Sequence, residues 1–181
     1  RVFVATASTL QNGRVSVAMH NRDAVVPHAS HARIPGKDPN MQTQPITVST
    51  IVHAPLNRVW LQWTTPQDIM GWNNASDDWH TPSATNDLRV GGEFHYIMAS
   101  RNGNERFDFS GVYTQITPEK SIAYQLGDHR KVHVTFTEQG NAVLVTETFD
   151  PEQANAADMQ RAGWQAILDN FKRHAEKASA R

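Results

Sequence analysis

The run Asp77-Asp78-Trp79-His80 sets an imidazole beside two carboxylates. A histidine in that company can act as a general base or a metal ligand. The plainer reading is a solvated polar loop with Trp79 tucked beneath it, because adjacency in sequence does not make side chains converge. Glu93, Tyr96, Asp108 and Tyr113 are further candidates for acid–base work, since a hydroxyl or carboxyl group enclosed by apolar walls shifts its pKa. The chain has 9 histidines. His28 and His31 form one close pair, and His129 and His133 another on or beside a predicted strand. Neither pair has a third ligand nearby in sequence, so no metal site is expected. Arg89-Val90-Gly91-Gly92 lacks the Lys-Ser/Thr of a phosphate loop, and no helical pattern follows it. The glycines suit a bulge or a close backbone approach instead. Arg89 and Glu93 are placed to pair with each other or to point at a cavity mouth. No Gly-x-Ser-x-Gly elbow supports an esterase-type serine. The absence of cysteine excludes disulfides, thiolate metal sites and thiol nucleophiles.

A different set of residues speaks of binding. A strand sends successive side chains to opposite faces. Phe94, Tyr96 and Met98 therefore share one face, and Phe107, Phe109 and Tyr113 share another. This is a larger aromatic surface than a flat, half-buried sheet needs. It implies a curved sheet wrapped around something.

The elements that would position these residues follow from the pattern. Ile46 to His53 is rich in β-branched residues and reads as a strand. Pro55 suits a first helical turn, and Val59, Trp60 and Trp63 follow at helical spacing, which predicts a helix over 55–64. Pro66 opens a second short helix with Ile69, Met70 and Trp72, and residues 73–89 read as a loop. Five strands are predicted at 92–100, 106–116, 121–127, 131–138 and 142–149. The short turns between them favour antiparallel neighbours. A helix over about 155–177 closes the domain, with Trp164, Ile167, Leu168 and Phe171 as its apolar stripe. This order predicts an α+β fold: a curved six-stranded antiparallel sheet around a long C-terminal helix.

Size and charge set bounds. The 181 residues suffice for one domain with a real core, and the net charge of −1 argues against a nucleic-acid binder. No apolar run approaches the roughly 20 residues of a membrane span. The lack of cysteine fits a reducing, cytoplasmic setting. Residues 1–40 are short of large apolar side chains and are broken by Pro27, Pro35 and Pro39. They read as a flexible N-terminal extension, a leader or start-site artefact, with a basic targeting peptide as the alternative. The domain itself is expected over 41–181.

Several stretches resemble a known family in their order and spacing. They are Ala54-Pro55 with Val59-Trp60, the Trp72 to Trp79 segment, Asn86 to Phe94, Phe107 to Tyr113, and Gly163-Trp164. Together they are similar to the START-like SRPBCC superfamily, in its branch of activator of heat-shock protein 90 ATPase homologues. The resemblance implies a helix-grip fold, in which the sheet grips the last helix around an apolar cavity. Phe94, Tyr96, Met98, Phe109 and Tyr113 are then candidate lining residues on the sheet. Trp79, Tyr124, Trp164 and Phe171 complete the candidate ligand-binding set. The expected function is binding of a small apolar or aromatic molecule, lipid or polyketide-like, without a cofactor. The alternatives are a cyclase- or hydrolase-type enzyme using the same cavity, with Asp78 and His80 among its polar candidates, and a chaperone-interacting module. Access is expected past the 73–88 loop or near Gly163.

Overall fold

The structure, a computed structural model, describes residues 4–7, 17–20 and 44–179. Strand β1 (Val4–Ala7) pairs antiparallel with β2 (Val17–His20) in a two-stranded ribbon. The remainder of residues 1–40, read above as a flexible extension, lies outside the described residues, as do His28 and His31.

Strand β3 (Ile46–Val52) leads into α1 (Leu56–Thr64) and α2 (Pro66–Trp72). One residue separates the helices for a local reason. Thr65 precedes a proline and is extended, with ψ 126°. Proline disfavours helical geometry in the residue before it, yet fits the first position of a new helix. Trp72 then donates its indole N–H to the Gln62 carbonyl at 3.0 Å, which ties the two helices together.

Five of the remaining strands match expectation closely: β5 (Glu93–Ser100), β6 (Arg106–Thr117), β7 (Ser121–Leu126), β8 (Lys131–Gln139) and β9 (Ala142–Phe149). The sheet has seven strands rather than six, because Trp79–Asn86 forms β4 inside the stretch expected to be a loop. Alternation is weak there: only Trp79 and Thr81 are buried. Pro82 sits where the pairing register shifts between His80 and Ser83. Proline is tolerated on an edge strand at such an irregularity, which is why its presence did not prevent a strand.

The strand order is β3-β9-β8-β7-β6-β5-β4, all antiparallel. A second register shift lies between Tyr113 and Gln115 of β6. Such bulges bend a sheet and increase its twist. Helix α3 (Ala157–Ser179) lies in the resulting hollow, with Leu168, Phe171 and Ala175 fully buried. The helix-grip arrangement implied by the resemblance is present. Polar side chains of α3 also reach the margin of edge strand β3. Arg161 donates to the Thr47 carbonyl at 2.9 Å and Gln165 to the Ser49 carbonyl at 3.1 Å.

Candidate functional site

Between the inner face of the sheet and α3 lies a cavity of about 100 Å³. Phe94, Tyr96 and Met98 reach it from β5, Phe109 and Tyr113 from β6, Tyr124 from β7, and Trp164 from α3. The rings brace one another. Phe94 packs against Tyr124 at 4.9 Å and Tyr96 at 5.0 Å between centroids, and Trp164 stacks on Phe149 at 4.0 Å. Gly111 makes room for this cluster: a Cβ there would lie 2.8 Å from the Phe94 ring. Two expected lining residues sit elsewhere. Trp79 packs with Met98 and Phe107 in a smaller cluster under β4. Phe171 lies roughly 10 Å farther along α3 than Trp164, packed against Trp63 and Trp72 at 4.8 and 5.1 Å.

Polar groups face the cavity from several elements. Glu147 occupies an inward position of β9, in phase with Val143, Val145 and Phe149 and opposite Val48 and Val134. It is only 5% exposed. Its carboxyl group has no hydrogen-bond partner among the described residues, and burial alone pushes its pKa up to about 8. Tyr124 is raised well above the usual phenol value, chiefly by burial and next by the neighbouring Glu147. Tyr113 donates to Asn86 Oδ1 at 2.7 Å, and Asn86 in turn donates to the Thr64 carbonyl at 2.6 Å. Burial lifts Tyr113 to about 12, and the adjacent Tyr96 is raised as well, again mainly by burial. Arg130 lines the cavity while its Nε donates to Asp128 Oδ2 at 2.7 Å.

One rim is a knot of polar contacts between β9 and α3. Gln160 is buried and donates to the carbonyls of Glu152 and Asn155 at 3.0 and 2.9 Å. Glu152 accepts from the Asn155 side chain at 2.6 Å. These three residues line the cavity where α3 begins, near the region expected to give access. At neutral pH, then, the interior presents, besides Arg130 and Glu152, aromatic faces, neutral tyrosines and a protonated carboxyl group. In an apolar enclosure these are effective hydrogen-bond donors.

Residues 53–176 match the family described as Activator of Hsp90 ATPase homolog 1-like protein. The chain belongs to this family. It is 38% identical to an AHSA1-like protein from Aeromonas hydrophila, whose solution structure superposes with a TM-score of 0.70 over 75% of this chain and 96% of that one. It is 45% identical to a protein from Cytophaga hutchinsonii, with a TM-score of 0.65 over 74% and 93% of the two chains. A Nitrosomonas europaea protein at 18% identity shares the fold, with a TM-score of 0.65 over 76% of this chain and 97% of that one. No curated protein matches the chain.

The other polar candidates lie away from the cavity. Asp78 and Glu93 are exposed, and Asp108 is exposed and pairs with His95 at 3.3 Å. His80 sits on β4 opposite Ala99, with Nδ1 buried and without a hydrogen-bond partner among the described residues. It does not line the cavity. Arg89 pairs with Asp87 at 2.9 Å and not with Glu93. Gly92 is held by a close backbone approach, as expected: a Cβ there would collide with the Asp87 carbonyl. His129 and His133 are exposed, and among the described residues no three His, Cys, Asp or Glu side chains form a metal-sized group. Sequence reasoning passed over Glu147 and Arg130. The signal for Glu147 was available, because Val143-Leu144-Val145-Thr146-Glu147-Thr148-Phe149 places a carboxylic acid on the apolar phase of a strand. Arg130 sits in a turn and carries no such mark.

Proposed function

We propose that this chain binds a small, mostly apolar molecule between its sheet and α3, in a cytoplasmic setting. The observation that carries the reading is the aromatic cavity of about 100 Å³. That is the scale of engineered cavities of roughly 150 Å³ that admit benzene. It suits one ring or a short acyl segment better than an extended lipid. Apolar guest atoms leaving water contribute about 25 cal/mol per Å² buried. The polar rim of Glu152, Asn155 and Gln160 offers a route in beside the start of α3.

Native mass spectrometry of the purified chain tests this directly, with a co-purified compound of low mass as the expected result. Ile167→Trp would fill the cavity from the helix side and should expel that compound while leaving the circular dichroism spectrum intact. No bound compound, together with no saturable binding across a panel of single-ring molecules, would sink the reading.

A catalytic use of the cavity is the second reading. It is favoured by Glu147, whose raised pKa suits proton donation near neutrality. Chemical conversion of the bound compound, lost in Glu147→Gln while binding persists, would separate catalysis from carriage.

A further inference from the structure

We infer that Glu147 and Tyr124 form the polar end of the cavity and hold an uncharged, ring-sized guest by hydrogen bonds to one acceptor oxygen, a ketone-type carbonyl. The inference rests on the binding reading above and specifies its ligand class. Its basis is geometric. Glu147 is 5% exposed and lines the cavity, and its carboxyl oxygens, which form no hydrogen bond with another described residue, open on the cavity space. It stands on a strand face of valines and phenylalanine, which offer its carboxyl group no hydrogen-bonding partner. Tyr124 comes from β7, two strands away in the same sheet, and lines the same cavity. Neither side chain has a hydrogen bond through its polar group to the described protein, whereas Tyr113 is already committed to Asn86. Two unused groups that can donate, flanked by aromatic rings, are what a lone carbonyl oxygen requires.

Charge decides between guests. The titratable groups sharing the cavity with Glu147 are Tyr96 of β5, Tyr113 of β6, Tyr124 of β7, Arg130 of the β7–β8 turn and Glu152 of the β9–α3 loop. Helix α3 supplies Gln160, Trp164 and Ile167, which do not titrate. Strands β3 and β8 present Val48 and Val134 beside Glu147. The Arg130 charge is matched by Asp128, so an anionic guest gains no unmatched cation. A cationic guest drawn to Glu147 would have to shed its hydration and ionise that group within apolar walls, and the Glu152 carboxyl group is already engaged by the Ala154 and Asn155 amides. A neutral acceptor requires neither.

The test uses two probes of equal shape, acetophenone and α-methylstyrene, which differ in C=O against C=CH2. Calorimetry or tryptophan fluorescence on the full chain at pH 6.5 should show acetophenone binding at least tenfold more tightly. Glu147→Leu should cut that preference severalfold, leaving what Tyr124 supplies, and keep α-methylstyrene affinity within about twofold. Glu147→Gln, which keeps a neutral donor, should retain most of it, and Tyr124→Phe should reduce it severalfold. In the unaltered chain the preference should fall as pH rises past 8, and in Glu147→Gln it should not. Melting curves establish that each variant is folded.

Equal affinity for the two probes, or a preference undiminished in Glu147→Leu, overturns the donor assignment while leaving guest binding intact. Tighter binding of benzylamine that is lost in Glu147→Gln overturns the uncharged guest, as does tighter binding of benzoate that depends on Arg130. If neither neutral probe nor either charged one binds, the cavity reading fails and this inference fails with it.

Discussion

A carboxyl group set among valines keeps its proton to a higher pH than it does in water, because ionising it there forfeits hydration that nothing replaces. For Glu147 the consequence for stability has a definite sign. Below pH 4.5, the ordinary value, folded and unfolded chains both hold the proton, and the group contributes no pH dependence. Between 4.5 and about 8 the unfolded chain has released it and the folded chain has not. Stability therefore falls as pH rises, by up to roughly 1.4 kcal/mol per unit, and levels off above that window. Glu147→Gln removes this decline. Urea midpoints at pH 5, 6.5 and 8 should show the variant gaining steadily on the parent chain; parallel profiles would refute the burial argument. Gly111 is a second residue whose neighbours fix its identity. Gly111→Ala would press a methyl group against the Phe94 ring and the Gln125 carbonyl, at 2.8 and 2.7 Å. Overpacking of this kind costs about 1–3 kcal/mol, measurable as a lowered urea midpoint.

Helix α3 divides its length between two tasks. Around Trp164 it faces the cavity, and around Phe171 it closes on α1 and α2. Phe171→Ala should thus cost about 3–5 kcal/mol and, since Trp63 and Trp72 also line the cavity, disturb the guest's affinity only through those two rings. Trp164→Ala should cost less and weaken guest binding, and a thermal melt beside a titration of each variant separates the two. The legibility of the elements follows the same logic. Strands β5 to β9 could be read because their inward positions alternate with polar ones, and α3 because its stripe repeats at helical spacing. Strand β4 could not, since Pro82 and the register shift erase its alternation. The cavity's aromatic walls were legible as inward positions of read strands, whereas Phe171 and Trp79 look the same in sequence as Trp164 does. Whether a buried ring touches empty space or another ring depends on how far along the helix the sheet has closed, and residue type does not encode that. Glu147 was overlooked although its phase was visible; a polar residue at an apolar position is a stronger mark than one more aromatic.

At the scale of the molecule, a cavity protein and a chaperone partner make different demands. The first needs an enclosed interior, the second an exposed contact surface. The large apolar side chains exposed among the described residues, Ile51, Leu61, Met70, Val90 and Val112, are spread over β3, α1, α2, the β4–β5 loop and β6. If the cavity is the working part, Glu147→Leu should alter guest selection without changing any stimulation of a chaperone ATPase measured in parallel. An equal loss of both would tie the two together. The grip of α3 on strand β3 has a further consequence. Arg161 and Gln165 occupy carbonyls of an outermost strand that would otherwise recruit a strand from another molecule. A chain cut short before residue 157 would lose more than its guest. It would present a bare selvedge, and growth of filaments by strand addition, seen as light scattering that rises with concentration, is the expected fate of the truncated protein.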